Sequence, residues 1–188
     1  ERCWKYLKEQ GKPCIVYVSK EDDENANFST TLEALRENLS KSIAPVVAPI
    51  WDENKRTIGI IDVLNKKAYK IGDDKRGKRV EIPIPENKMS VVNELYDELM
   101  EAVAETTEEN MEKFFSGDPF TKEEIMNGLK VGMREGTLAP VVCGSALTGL
   151  GTEMLLQTIV DLVPGPMEMA HEAASDESGE NPVEVARD

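Results

Sequence analysis

Lys20 and Asp22 stand one residue apart, directly after the apolar run Cys14-Ile15-Val16-Tyr17-Val18. A carboxylate can accept two parallel hydrogen bonds from the N–H/NH2 edge of a planar ring, an edge that guanine carries and adenine lacks. A lysine stem and ammonium can lie over the face of such a ring. A second chemically suggestive stretch is the small-residue turn Gly144-Ser145-Ala146-Leu147, which follows another apolar run, Leu138-Ala139-Pro140-Val141-Val142-Cys143. Small residues in a turn let backbone N–H groups approach a ligand closely. A lone Lys-x-Asp reads more readily as a solvated loop than as a site. Two such loops, each at the end of a strand, can hold one base between them.

The elements that must position these loops follow from pattern. The β-branched run at 14–18 is bounded by Gly11-Lys12-Pro13 and by charge, so it reads as a buried strand, and 138–143 reads as another. Open α/β sheets place ligand contacts at the C-terminal ends of their strands. Trp4 and Leu7 open the chain in helical spacing with no N-cap before them, so this helix is expected to begin before Glu1. After the Lys-x-Asp loop comes a helix with Leu32, Leu35 and Leu39 on one face. Ser29 or Thr30 can cap it, and Thr30 with Glu33 makes a capping box.

From Ile43 the composition changes. Residues 44–51 read as extended, and 57–63, 68–71 and 80–84 as short strands. Turn chemistry separates them at Asp52-Glu53-Asn54-Lys55, at Gly72-Asp73-Asp74 and at Gly77. This spacing predicts an antiparallel sheet ended by Pro83 and Pro85. Three helices follow. One carries Val91 or Val92, Leu95, Leu99 and Val103. A second is capped by Thr106 with Glu109 and bears Met111, Phe114 and Phe115. A third is capped by Thr121 with Glu124, bears Ile125, Leu129 and Met133, and stops at Gly136. After the second buried strand, Met154, Leu155, Ile159 and Leu162 mark a last helix stopped by Pro164-Gly165-Pro166. Residues 167–188 are polar and acidic without periodicity and read as a linker. The fold class is therefore α/β. A doubly wound domain of residues 1–42 and 138–166 is interrupted by an α+β insert of residues 43–137 with its own antiparallel sheet.

The net charge of −14 argues against a nucleic-acid surface, and it is localised. Residues 94–124 hold 11 acidic and 2 basic side chains, and residues 168–188 hold 7 acidic and 1 basic, leaving the remainder near neutral. A solvated acidic face is one reading of this; a basic partner at one surface is the other. Cys3, Cys14, Cys143 and the single histidine, His171, make no zinc pattern, and the thiols read as reduced core groups of a cytosolic protein. No apolar run is long enough to span a membrane.

Several stretches together resemble bacterial elongation factor G, the ribosomal translocation GTPase, or a close paralogue. They are the loop from Ser19 to Phe28, Ile82-Pro83-Ile84-Pro85, Glu101-Ala102-Val103-Ala104-Glu105-Thr106, Met111-Glu112-Lys113-Phe114, Cys143-Gly144-Ser145-Ala146 and Leu162-Val163-Pro164-Gly165-Pro166. They match the latter half of that family's GTP-binding domain with its inserted subdomain. The resemblance implies GTP or GDP as ligand, bound weakly or not at all by these residues alone, with Mg2+ only in the intact protein. It places Ser19, Lys20 and Asp22 in the guanine motif, and Ser145, Ala146 and Leu147 in the second base loop, whose backbone N–H meets the guanine carbonyl oxygen. It further implies a ribosomal partner, the stalk protein with its basic C-terminal domain, docking on Glu105, Glu108, Glu109 and Glu112.

This sequence departs from the family pattern in two ways. Ser19 replaces the family's asparagine, and Glu21 and Asp23 stand where the family usually has Met and Arg, setting extra negative charge beside an anionic ligand. The shorter Ser hydroxyl forgoes contacts worth roughly 1–3 kcal/mol. No G-x-x-x-x-G-K-[ST] loop occurs in the 188 residues, so the chain alone is not expected to hydrolyse GTP. A second reading, of a different class, is a non-catalytic acidic interaction module with a vestigial guanine pocket. A third is a ribosomal protection protein or a peptide-release GTPase of the same superfamily.

Overall fold

The computed structural model describes residues 2–40, 42–54, 56–72, 78–165, 168, 172–175 and 182–185. The expected turns at Asp73-Asp74 and Gly77, the turn residue Lys55, the stop at Pro166 and the lone His171 lie outside the described residues, as does much of the expected linker.

Helix α1 (Arg2–Glu9) precedes strand β1 (Val16–Val18), which leads through the Lys20–Asp22 loop into α2 (Phe28–Asn38). Among the described residues strand β1 is the edge of a three-stranded parallel sheet of order β1-β7-β2, with β2 at Ile43–Pro45 and β7 at Ala139–Cys143. Residues 43–45, expected within the insert, thus belong to the parallel sheet. The edge position also corrects the expected burial of the first strand. Every residue of β1 is only half-buried, whereas all of the central β7 is buried.

A single residue, Val46, carries the chain from one sheet to the other. Its N–H donates to Val141 O of β7 at 2.9 Å, and its carbonyl accepts from Val63 N at 3.1 Å. The second sheet is antiparallel, of order β3-β4-β5-β6, built from β3 (Val47–Trp51), β4 (Thr57–Asp62), β5 (Lys67–Ile71) and β6 (Arg79–Ile82). After a short 3-10 turn at Glu86–Lys88 come α3 (Met89–Ala104), α4 (Glu108–Ser116) and α5 (Lys122–Glu135), and α6 (Thr152–Leu162) follows β7. Helices α2 and α3 pack on β2, and α5 and α6 pack on β7.

The helical faces follow the expected periodicity. Val92, Leu95, Leu99 and Val103 of α3 are buried, as are Ile125, Leu129 and Met133 of α5. They join Leu32, Ile61 and Val141 in one continuous hydrophobic core. In α6 Met154 and Leu162 are buried, but Ile159 turns outward with Leu156 and Val160.

Two of the three expected caps shift. Asn27, not Ser29 or Thr30, caps α2 by accepting from Thr30 N at 3.2 Å, because its short amide reaches the open turn from an extended backbone. Thr107, not Thr106, caps α4 through Asn110 N. Thr106 is drawn inward instead. Its hydroxyl donates to Val103 O at 2.6 Å and accepts from Asn110 Nδ2 at 3.2 Å. The Thr121–Glu124 capping box forms as expected, and Gly136 ends α5 in the left-handed conformation. Within the expected linker, β8 (Glu172–Ser175) and β9 (Pro182–Val185) pair as an antiparallel hairpin, so that stretch is not wholly without structure.

Candidate functional site

The two suggestive loops leave the C-terminal ends of neighbouring parallel strands, where Val18 lies opposite Cys143. They are clasped by two backbone hydrogen bonds. Gly144 N donates to Val18 O at 2.9 Å, and Glu21 N donates to Gly144 O at 3.1 Å. Gly144 permits the approach. A Cβ at that position would fall 2.7 Å from Tyr17 Oη and would strike the carbonyl oxygen of Leu150. Lys20, at φ +65, takes the left-handed conformation that turns the chain sharply out of β1. Ser19, Lys20 and Asp22 stay exposed, with side chains open to solvent at the mouth of the clasp.

The second loop is organised by its serine. Ser145 is fully buried. Its N–H is taken up by Leu150 O at 2.8 Å, its hydroxyl accepts from Thr148 N at 3.2 Å, and its carbonyl accepts from Gly149 N at 2.9 Å. Ser145 therefore shapes the loop, and its own N–H is not offered outward. Ala146 and Leu147 are exposed, Leu147 to 85%, and among the described residues nothing accepts from their N–H groups. Those two donors are the open ones on this loop.

Glu21 departs most from expectation. It sits in a run of charges, and the sequence reading sets its negative charge beside the ligand. In the structure its side chain turns inward and is 2% exposed, with Oε2 lacking any hydrogen-bond partner. Burial pushes its carboxyl up to about 7. Its carbonyl oxygen accepts from Thr57 Oγ1 of β4. No sequence signal marks Glu21 or Thr57, because the inward turn follows from the backbone twist at Lys20. Asp23 braces the same loop, its Oδ1 accepting from Asn25 N at 2.8 Å.

The acidic residues lie apart from this mouth. Glu105 closes α3, and Glu108, Glu109 and Glu112 occupy α4; all four are exposed. Among the described residues none of them forms an ion pair, while the neighbouring Lys113 is bound to Glu124 at 2.7 Å. Met111, Phe114 and Phe115 add apolar surface to the same helix, Phe115 at 81% exposure. Among the described residues no group of three or more His, Cys, Asp or Glu is placed to hold a metal ion, and no helix is long and apolar enough to cross a membrane.

The chain is similar to known proteins along most of its length. The model of the elongation factor Tu GTP binding domain matches residues 1–165. The elongation factor G-like protein of Thermotoga maritima is 37% identical over 168 residues, 89% of this chain and 23% of its own length. Elongation factor G of Mycoplasma genitalium is 32% identical over 176 residues, 94% of this chain and 25% of its own. A crystal structure of a Thermus thermophilus protein superposes with a TM-score of 0.79 at 30% identity, covering 89% of this chain and 24% of that one. The chain thus spans about a quarter of the length of these relatives. The chain belongs to the elongation factor Tu GTP-binding domain family and resembles the elongation factor G proteins within it.

Proposed function

We propose that this chain supplies the guanine-recognition face, and an acidic docking surface, of a translational GTPase that drives ribosomal translocation. The clasp between the two strand ends carries the reading. It sets the Lys20–Asp22 loop beside the open N–H groups of Ala146 and Leu147. In this reading Asp22 accepts from the N–H/NH2 edge of guanine, Lys20 covers the ring, and Ala146 and Leu147 donate to its carbonyl oxygen. Ser145 holds the shape of the second loop. The parallel-sheet part, which takes in residues 43–45 as well as 1–42 and 138–166, forms the nucleotide-binding part, and the α3 to α5 region presents the docking surface. GTP hydrolysis, with Mg2+ and the phosphate-binding loop, belongs to the intact protein in the cytoplasm.

Titrating the chain with fluorescent GDP and fluorescent ADP tests the base site. GDP is expected to bind more tightly, and Asp22→Ala to reduce that preference by about tenfold or more, since hydrogen bonds to a charged group are worth about 1.5–3 kcal/mol. Equal binding of the two nucleotides, or an indifferent Asp22→Ala variant, would overturn the assignment.

The unpaired carboxylates on α4 and at the end of α3 support a second role, docking a basic domain such as that of the ribosomal stalk protein. If the chain proved to have no base preference, that surface would remain as a non-catalytic interaction module.

A further inference from the structure

Glu21 lies in the middle of the guanine motif, yet its side chain serves the space behind the motif. Its N–H bonds Gly144 O, its carbonyl accepts from Thr57 Oγ1, and its carboxyl is buried with Oε2 unsatisfied. The groups packed around it offer no counter-charge. Burial makes the Tyr17 phenol of β1 and the Cys143 thiol of β7 harder to ionise; Cys143 adds to this for Tyr17, and the Glu21 charge adds to it for both. From β4 comes only the neutral Thr57 hydroxyl. On its own loop Lys20 and Asp22 are exposed, and among the described residues no cation pairs with the Glu21 carboxyl. A carboxylate in such a place has no partner to repay its lost hydration, so it is retained neutral or is driven out toward water. Driving it out would pull on the Glu21 N–H bond that closes the clasp.

We propose that Glu21 is a positioning residue that makes the base site proton-linked: the neutral carboxyl seats the clasp between the two base loops, and ionisation releases it. The consequence for nucleotide binding rests on the guanine-site reading above; the opening of the clasp does not. Lys20 and Asp22 flank Glu21 in sequence, so release of the clasp displaces both from Ala146 and Leu147. The same clasp would stay closed at any pH if position 21 carried an uncharged side chain of similar length.

The test compares the 188-residue chain with Glu21→Gln and Glu21→Met. Gln keeps the shape but brings a buried amide, and Met keeps the length without polarity, so the two substitutions do not share a failure mode. Amide hydrogen exchange at residues 21 and 144 is measured between pH 6 and pH 8 and corrected for the intrinsic pH dependence of exchange. Protection of the Glu21 amide is expected to fall by about tenfold across that range in the parent chain and to stay level in both variants. Level protection in the parent, or the same fall in a folded variant, would overturn the proposal. Fluorescent GDP is titrated into the same samples. Weaker binding at pH 8 in the parent alone supports the link to the base site. Binding that stays constant with pH while the clasp opens overturns that link. GDP binding to none of the samples, with the exchange result as expected, leaves the proton-linked clasp standing and defeats the guanine-site reading instead.

Discussion

The Thr57 hydroxyl donates to the carbonyl oxygen of Glu21, so a strand of the antiparallel sheet holds the loop that follows the first parallel strand. Thr57→Val keeps the branched shape and removes the donor. It is expected to cost about 1 kcal/mol in urea denaturation, the usual net worth of one such bond. Amide exchange in residues 20–23 should quicken with it. A variant with parent-like stability and parent-like exchange would show that the loop does not depend on this contact.

Gly144→Ala should be more harmful than its single methyl suggests. The new carbon would meet the Leu150 carbonyl, Tyr17 Oη and the Gly151 backbone together, and of these only the Tyr17 hydroxyl is a side-chain end that can step aside. A loss of about 1–3 kcal/mol is expected, with a lowered Tm. Gly149→Ala, at a position with open space but a left-handed backbone, serves as the comparison and should be milder.

Glu124 carries an acid-dependent share of stability. The Lys113 ammonium, then the backbone N–H and hydroxyl of Thr121, hold its carboxyl down at about 2. A carboxyl lowered on folding stabilises the fold above its unfolded value and loses that contribution as pH falls toward its folded value. The stability gap between the parent and Glu124→Gln should therefore be full at neutral pH, narrow as pH drops from about 4.5 toward about 2, and close below that. Denaturant unfolding across this range reads the gap directly. A gap that stays constant down to the lowest pH would remove the charge from the explanation.

Reversing the acidic face tests the docking role without touching the core. Glu105→Lys, Glu108→Lys, Glu109→Lys and Glu112→Lys together leave the buried faces of α3 and α4 unchanged. Binding of the basic stalk domain should weaken with added salt in the parent and disappear in the variant. Salt-independent binding, or binding retained by the variant, would point to another surface.

Ser19→Asn restores a longer amide at the start of the base motif. An increase in GDP affinity of about tenfold is expected, because one added hydrogen bond in such a site is worth about 1 kcal/mol or more. No change would show that the first motif position does not limit binding.

Much of this architecture was legible because it rests on periodicity. Leu95, Leu99 and Val103 repeat at helical spacing and bury the face that the repeat marks. Thr121 and Glu124 make a local cap that no tertiary contact opposes. The misses came where tertiary position overrides local pattern. The run at 14–18 is apolar enough for a central strand, but pairing places β1 at the sheet's edge, leaving it half-buried. Thr106 matches a cap by spacing, yet the end of α3 claims its hydroxyl. Glu21 looks like one charge among several, and only the backbone turn at Lys20 sends it inside. In the two strand-end loops the residue types suggest chemistry one by one, whereas the clasp that joins the loops depends on the register of β1 with β7.

Val46 belongs to both sheets by its hydrogen bonds, and the single core runs across that junction. No slack chain separates the two sheets at this point, so there is no joint here at which one could swing while the other stays still. Because α3 packs on β2, force applied at α3 would be delivered into the parallel sheet whose strands lead into the Lys20–Asp22 and Ser145 loops. A partner seated on α4 would thus act on a lever already fixed at its far end.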